Sequence, residues 1–425
     1  MGRIPYKGLI SIQSAHIKNV IDMTKLFICT LFVFVFVTTR SQTQREITIG
    51  NIEKIHSEIL HEDRDIWIYN PGQNDLSADD RYPVLYLLDA EDHFYSTVAM
   101  VKQMSGRWPG MIVVGIRNTD RNRDLKPSKI DANGNIVPNS GGGEKFMSFI
   151  EKELMPHIDS FYPTAPYKIF SGHSLGGLMV VNTLLNDPHL FNAYIAIDPS
   201  LWWNDMQLVD QAKEDLQTKK FDNISLFVGR ANNMPPDMDT LTALKDTTQY
   251  TVLYRSVSRF VEILKRAGNN GLRWSTKFYP DEIHGTVELN GEYDALKFLF
   301  SYYQFRTSIF ELNPAMNIDS AVDAHFRKIS QNLGYTVLPS RNLVNNLGYT
   351  CMEQQKWDKA KAFFEMNIKN YPKDANAYDS MGDYYQATGD IEKAIENYTK
   401  AMTLWNDPGT RQKLEYLKQK SKALK

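Results

Sequence analysis

Five residues in the middle of the chain, Gly172-His173-Ser174-Leu175-Gly176, have the G-x-S-x-G spacing of a serine nucleophile. The residues before them, 167–172 (YKIFSG), are short and apolar, and those after, 177–185, have helical character. Strand, sharp turn and helix together expose a serine hydroxyl on a strained backbone, flanked by glycines because side chains there would not fit. A serine hydroxyl is a poor nucleophile near neutral pH, so a base within hydrogen-bond reach must take its proton. Such sites run serine, acid, histidine along the chain. Of nine histidines, His189, His284 and His325 follow the Ser174 turn. His189 falls at the end of the helix after the turn and His325 in a later helix. His284 lies in the loop after the last predicted strand (KFYPDEIHG) and is the expected base.

The acid is expected after the strand ISLFVG, in residues 230–239, where Asp237 and Asp239 are the carboxylates and Asp239 is favoured. Asn232 and Asn233 occupy the first turn, where such an acid commonly sits. Two other readings therefore stand: an asparagine orients His284, or the adjacent Glu282 does. The orienting group fixes the imidazole tautomer and stabilises the imidazolium. Acyl transfer also needs donors for a developing oxyanion, and the backbone N–H groups of Leu175 and Ala90 are expected to supply them. Trp202 and Trp203 follow Asp198-Pro199-Ser200 at the carboxyl end of another strand. Ligands bind at that edge in open α/β sheets, so the pair is read as either a substrate platform or simple packing. Gly141-Gly142-Gly143 lacks the Lys-Ser/Thr of a phosphate loop and is read as shaping the start of a helix at Glu144. The chain has no H-E-x-x-H or C-x-x-C spacing, so no metal is expected.

The elements that must position these residues are legible as pattern. Residues 46–69 read as a leading antiparallel pair of strands. Continuous apolar runs then recur at 84–89, 111–116, 167–172, 193–198 and 224–229, with RWSTKFY at 273–279, and helical spacing lies between them, as in 144–158 and 254–266. Short apolar strands alternating with helices predict a mostly parallel α/β sheet covered on both faces. After about residue 340 the pattern changes. Val344, Leu347, Gly348, Ala360, Phe364 and Pro372 recur 34 residues later as Tyr378, Met381, Gly382, Ala394, Tyr398 and Asn406. That is the tetratricopeptide period, and residues 410–422 read as a charged capping helix. The predicted organisation is an N-terminal extension and signal peptide (1–41), an α/β domain (45–310), a helical linker (311–340) and the repeats with their cap (341–425).

The 425 residues, 42% hydrophobic and 23% charged, can bury a large core, and a net charge of -2 supplies no electrostatic reason to expect nucleic acid. The apolar run at 26–37 (LFICTLFVFVFV) is twelve residues long, short of the roughly 20 that span a bilayer, and suits a secretory signal. Met23 makes a natural start for it, with residues 1–22 read as upstream of the true start and cleavage near Ser41, leaving a mature form that is secreted or periplasmic and without a membrane span. Of the two cysteines, Cys29 lies in that run and Cys351 on an inward repeat position. No intrachain disulfide is then expected, and Cys351 is read as buried and inert.

Together YLLDAEDHF (86–94), VVGIRNTDRNRDLKP (113–127), GGGEKFMSFIEKEL (141–154), FSGHSLGG (170–177), DPSLWW (198–203) and DEIHGTV (281–287) resemble the Putative esterase branch of the α/β-hydrolases, which includes esterase D, feruloyl esterases and the enterobactin and bacillibactin esterases. The resemblance covers about residues 45–305. It implies the α/β-hydrolase fold and hydrolysis of carboxylic esters through an acyl-enzyme on Ser174, with no metal or cofactor. The ferric-siderophore esterases look nearest, through the Trp-Trp element and residues 117–127; acetyl or feruloyl esters of polysaccharides are the other substrates implied. Some relatives carry a Glu soon after the glycine of the strand at 224–229, whereas here Asn232 stands near that position, which leaves a Ser/His dyad open. The repeats imply a protein partner. From a different class, the competing reading is a non-catalytic adaptor with a degenerate hydrolase domain that acts through its repeats.

Overall fold

The computed structural model describes residues 47–72, 80–131, 134–306 and 317–423. The expected signal peptide and its cleavage point lie outside the described residues.

Eight strands form one sheet: β1 (Asn51–Ser57), β2 (Glu62–Tyr69), β3 (Tyr82–Leu88), β4 (Ile112–Ile116), β5 (Thr164–His173), β6 (Ala193–Ile197), β7 (Ser225–Ala231) and β8 (Arg273–Tyr279). Their order is β1-β2-β4-β3-β5-β6-β7-β8. β1 and β2 pair antiparallel, as do β2 and β4, and every pair from β4 through β8 is parallel. The helices before the repeats are α1 (Ala90–Gln103), α2 (Arg121–Leu125), α3 (Gly143–Phe149), α4 (Met155–Phe161), α5 (Leu175–Asn186), α6 (Trp203–Thr218), α7 (Thr240–Lys245), α8 (Val252–Arg266), α9 (Val287–Leu299) and α10 (Ile318–Leu333).

The continuous apolar runs are explained by burial on both faces. In β3, Val84, Tyr86 and Leu88 face one core with α3, α4, α5, α6 and α8, while Leu85 and Leu87 face a second core with α1 and α9. The parallel strands therefore all deliver their carboxyl ends to one edge, and β5, β6 and β7 are neighbours there.

The repeats are α11 (Arg341–Glu353), α12 (Trp357–Asn370), α13 (Ala375–Thr388) and α14 (Ile391–Leu404), followed by α15 (Pro408–Ala423). Their period has a steric cause. A Cβ on Gly348 would lie 2.5 Å from the Phe364 ring, and one on Gly382 would fall against the Tyr398 ring in the same way. In each repeat the first helix must be bare at that position for the second helix's aromatic ring to pack. Cys351 is buried among these helices, and burial pushes its thiol up.

Residues 311–340 were expected to be a helical linker, and the helix they contain, α10, is built into both cores. Ile329 and Leu333 belong to the core beneath the sheet, whereas Val322 belongs to the core of the repeats; Phe326 packs against both. The sheet and repeats should accordingly unfold in one cooperative urea transition followed by tryptophan fluorescence. Ile329→Ala, which opens a cavity in the sheet-side core, is expected to cost about 2–5 kcal/mol without splitting that transition. Two separated transitions in the wild type would show that α10 does not couple the parts.

Candidate active site

Ser174 caps α5 at the end of β5 with φ 59° and ψ −115°, a conformation that side chains rarely adopt and that costs energy. The turn tolerates no bulk around it: a Cβ on Gly172 would lie 2.5 Å from the backbone of Gly176, and one on Gly177 would lie 2.9 Å from Pro199. Its backbone is held from the next strand, since Ser174 N–H donates to the Ile197 carbonyl and the Ser174 carbonyl accepts from Ser200 N–H. The result is a serine raised on the carboxyl edge of the sheet.

His284 sits in the loop between β8 and α9. Its Nε2 is 2.9 Å from Ser174 Oγ, and its Nδ1 is 2.6 Å from Asp198 Oδ2. Asp198, buried at the end of β6, also accepts from Ala231 N–H at 3.0 Å and from Asn233 Nδ2 at 2.6 Å. With Nδ1 donating to the carboxylate, Nε2 presents its lone pair to the serine hydroxyl. Such an arrangement can take the hydroxyl proton while fixing the imidazole tautomer.

The carboxylate against His284 is therefore Asp198, and the sequence reading that placed it at Asp237 or Asp239 is corrected. Asp239 caps α7, accepting from Thr242 N–H at 2.7 Å on the surface. Asp237 lies in an exposed turn at φ 68°. Neither is hydrogen-bonded to His284. Glu282 accepts from Asn290 Nδ2 at 2.5 Å. Asn233 does reach the site, through the backbone: its Oδ1 accepts from His284 N–H at 3.0 Å while its Nδ2 holds Asp198. The first turn after β7 holds no carboxylate, and Asp198 stands one strand back, at the end of AYIAID.

Leu175 and Ala90 are the first residues of α5 and α1, where helix N–H groups lack intrahelical acceptors. Ala90 follows Asp89, which is buried at φ 53° and accepts from Arg121 Nε at 2.6 Å, Arg121 Nη2 at 2.9 Å and Asn118 Nδ2 at 2.7 Å. The segment carrying Asn118 and Arg121 is anchored from below by Arg64, which is buried and donates to Asp124 and to the Arg117 carbonyl. Trp203 is buried, its indole N–H donates to Ser128 Oγ at 2.9 Å, and the Lys126 ammonium lies 4.4 Å over its ring. Burial and the neighbouring Arg121 pull Lys126 down. Trp203 is thus a packed support, and only the half-buried Trp202 retains exposed surface.

The family described as Putative esterase matches residues 57–284, more than half of the 425 residues. The chain belongs to this family. The tetratricopeptide repeat family matches residues 340–407. The ferri-bacillibactin esterase BesA of Bacillus subtilis is 34% identical over 187 residues, covering 39% of this chain and 64% of that protein. The siderophore triacetylfusarinine C esterase of Aspergillus fumigatus is 37% identical over 82 residues, 19% of this chain and 28% of its own length. The chain thus spans less than two thirds of the length of these relatives. Among solved structures, an IroE-like serine hydrolase from Shewanella oneidensis superposes with a TM-score of 0.63 at 28% identity, covering 75% of this chain and 99% of that one. An uncharacterised protein from Capnocytophaga ochracea shares the fold over 87% of this chain and 99% of its own, with a TM-score of 0.57 and 20% identity.

Behind the site, Glu292 is fully buried between Thr97 Oγ1, at 2.6 Å, and Ser171 Oγ, at 3.4 Å. Burial and the Glu288 carboxylate push it up to about 8. In the unfolded chain a Glu ionises near ~4.3, so the neutral form is the one the fold favours, and stability should fall as pH rises from about 4 to about 8. Glu292→Gln removes that ionisation. Its stability relative to wild type, read as midpoint temperature against pH, should rise through this window; a difference independent of pH would contradict the assignment.

Proposed function

We propose that this protein is a serine esterase that cleaves carboxylic esters through an acyl-enzyme on Ser174. The carrying observation is the continuous hydrogen-bonded chain from Asp198 through His284 to Ser174 Oγ. His284 takes the hydroxyl proton as Ser174 attacks the ester carbonyl, and returns it to the departing alcohol. Asp198 holds the imidazole in the required tautomer and faces the charge that forms on it. The N–H groups of Leu175 and Ala90 receive the carbonyl oxygen as it becomes an oxyanion. Water, deprotonated by the same histidine, then releases the acid and restores the serine.

The names of the Bacillus and Aspergillus relatives support ester linkages of ferric siderophores as the substrate class. The apolar run at 26–37 supports export of the mature chain to the periplasm or outside the cell; no helix among the described residues is long and apolar enough to cross a membrane. The repeats, residues 341–425, are assigned to binding a protein partner, and residues 45–310 to catalysis.

Wild-type protein should be labelled covalently by a fluorophosphonate and should hydrolyse a ferric catecholate triester with a higher kcat/KM than methyl ferulate or p-nitrophenyl acetate. Ser174→Ala should abolish both labelling and turnover, with a loss of up to ~10⁶-fold in kcat. Absence of labelling in the wild type would favour the adaptor reading instead.

A further inference from the structure

The residue before the nucleophile has an imidazole of its own. His173 Nε2 lies 2.8 Å from the backbone carbonyl oxygen of His284. The two rings pack with centroids 4.6 Å apart and planes inclined at 39°. On its far side His173 meets the edge of His93, at 5.8 Å and 89°, and His93 Nδ1 is 3.3 Å from Glu288 Oε2. His93 belongs to α1 and Glu288 to the first turn of α9, the helix that begins three residues after His284.

His284 is carried by a loop, yet proton transfer to it requires its ring to stay within about 2.6–3.2 Å of the serine oxygen. Both backbone polar groups of His284 are held by side chains from other elements. Asn233, beyond β7, takes the N–H at 3.0 Å, and His173, on the nucleophile turn itself, takes the carbonyl at 2.8 Å. We propose that His173 is a positioning residue: through the carbonyl of His284 it sets the distance between the base and Ser174, so that the turn that raises the nucleophile also holds its base. This rests on the esterase reading above and adds to it a residue that touches no substrate.

The chemistry of the contact is consistent. A carbonyl only accepts, so His173 must carry a proton on Nε2. Burial, together with the neighbouring His284 and His93 rings, pushes His173 down to about 4, so at neutral pH it is uncharged, with that single proton directed at the carbonyl. An uncharged His173 also places no cation beside His284 when His284 becomes an imidazolium. At His93 burial opposes the charged form, but Glu288 at 3.3 Å outweighs it and pushes the imidazole up.

The test compares full-length wild type, His173→Phe, which keeps a ring without a donor, and His173→Gln, whose amide can donate to the same carbonyl. The kcat is expressed per fluorophosphonate-labelled site, so that only folded protein is counted, and KM is measured on the same ester. His173→Phe should lose about 10–100-fold in kcat, the scale expected for a misplacement of about 1 Å, with KM within about twofold. His173→Gln should recover most of the loss. Equal kcat per labelled site in all three proteins, or equal losses in both variants, would overturn the positioning role while leaving the esterase reading intact. Wild type that neither labels nor turns over would remove the esterase reading, and this proposal with it.

Discussion

Three hydrogen bonds converge on the buried carboxylate of Asp198, and each comes from a different part of the sheet edge. Ala231 N–H belongs to the end of β7, Asn233 Nδ2 to the turn beyond it, and His284 Nδ1 to the loop after β8. Asp198 itself ends β6, and through His284 the chain continues to Ser174 at the end of β5. A carboxylate buried without partners would be strongly destabilising. Here its partners come from the ends of β7 and β8 beside Ser174, so satisfying the buried carboxylate and bringing His284 to Ser174 are one structural event. The parallel sheet makes this achievable, because it presents the carboxyl ends of β5, β6, β7 and β8 side by side.

The Ser174 turn and its neighbour His284 were legible because both depend on local or topological rules. Ser174 is marked by glycines that sterics require, and the close approach of Gly172 to Gly176 and of Gly177 to Pro199 shows why. His284 was left by elimination as the histidine in a loop after the last strand. The acid was not legible in the same way. Its position depends on which strand end lies beside the elbow, a three-dimensional fact, and Asp237 and Asp239 lie in the loop where the common topology would put it. Asp198 instead reads locally as a strand terminator before proline. The Trp202-Trp203 pair was likewise ambiguous, since two adjacent aromatic residues look alike in sequence while one is buried beneath Lys126 and the other half-exposed.

The repeats were legible through their 34-residue period, and the structure supplies its cause in the Gly348–Phe364 and Gly382–Tyr398 contacts. What the period could not reveal is their attachment. Helix α10 gives Ile329 and Leu333 to one core and Val322 to another, so the segment read as a linker is a shared wall. His325 Nε2 of α10 lies 2.9 Å from the Tyr303 carbonyl, and Tyr303 meets the Phe300 ring, which meets Tyr167 near the beginning of β5. Ser174 lies at the opposite end of β5. The repeats are thus joined to the sheet away from the site, which leaves the carboxyl edge uncovered by α10.

The most direct measurement is kcat/KM for p-nitrophenyl acetate in Asp198→Asn beside the double variant Asp237→Asn/Asp239→Asn. Replacing the acid that orients the imidazole should lower turnover by about 10⁴-fold, whereas the double variant should remain within about twofold of wild type. Wild-type turnover in Asp198→Asn, with the loss falling on the double variant, would contradict the hydrogen-bonded chain as the source of activity.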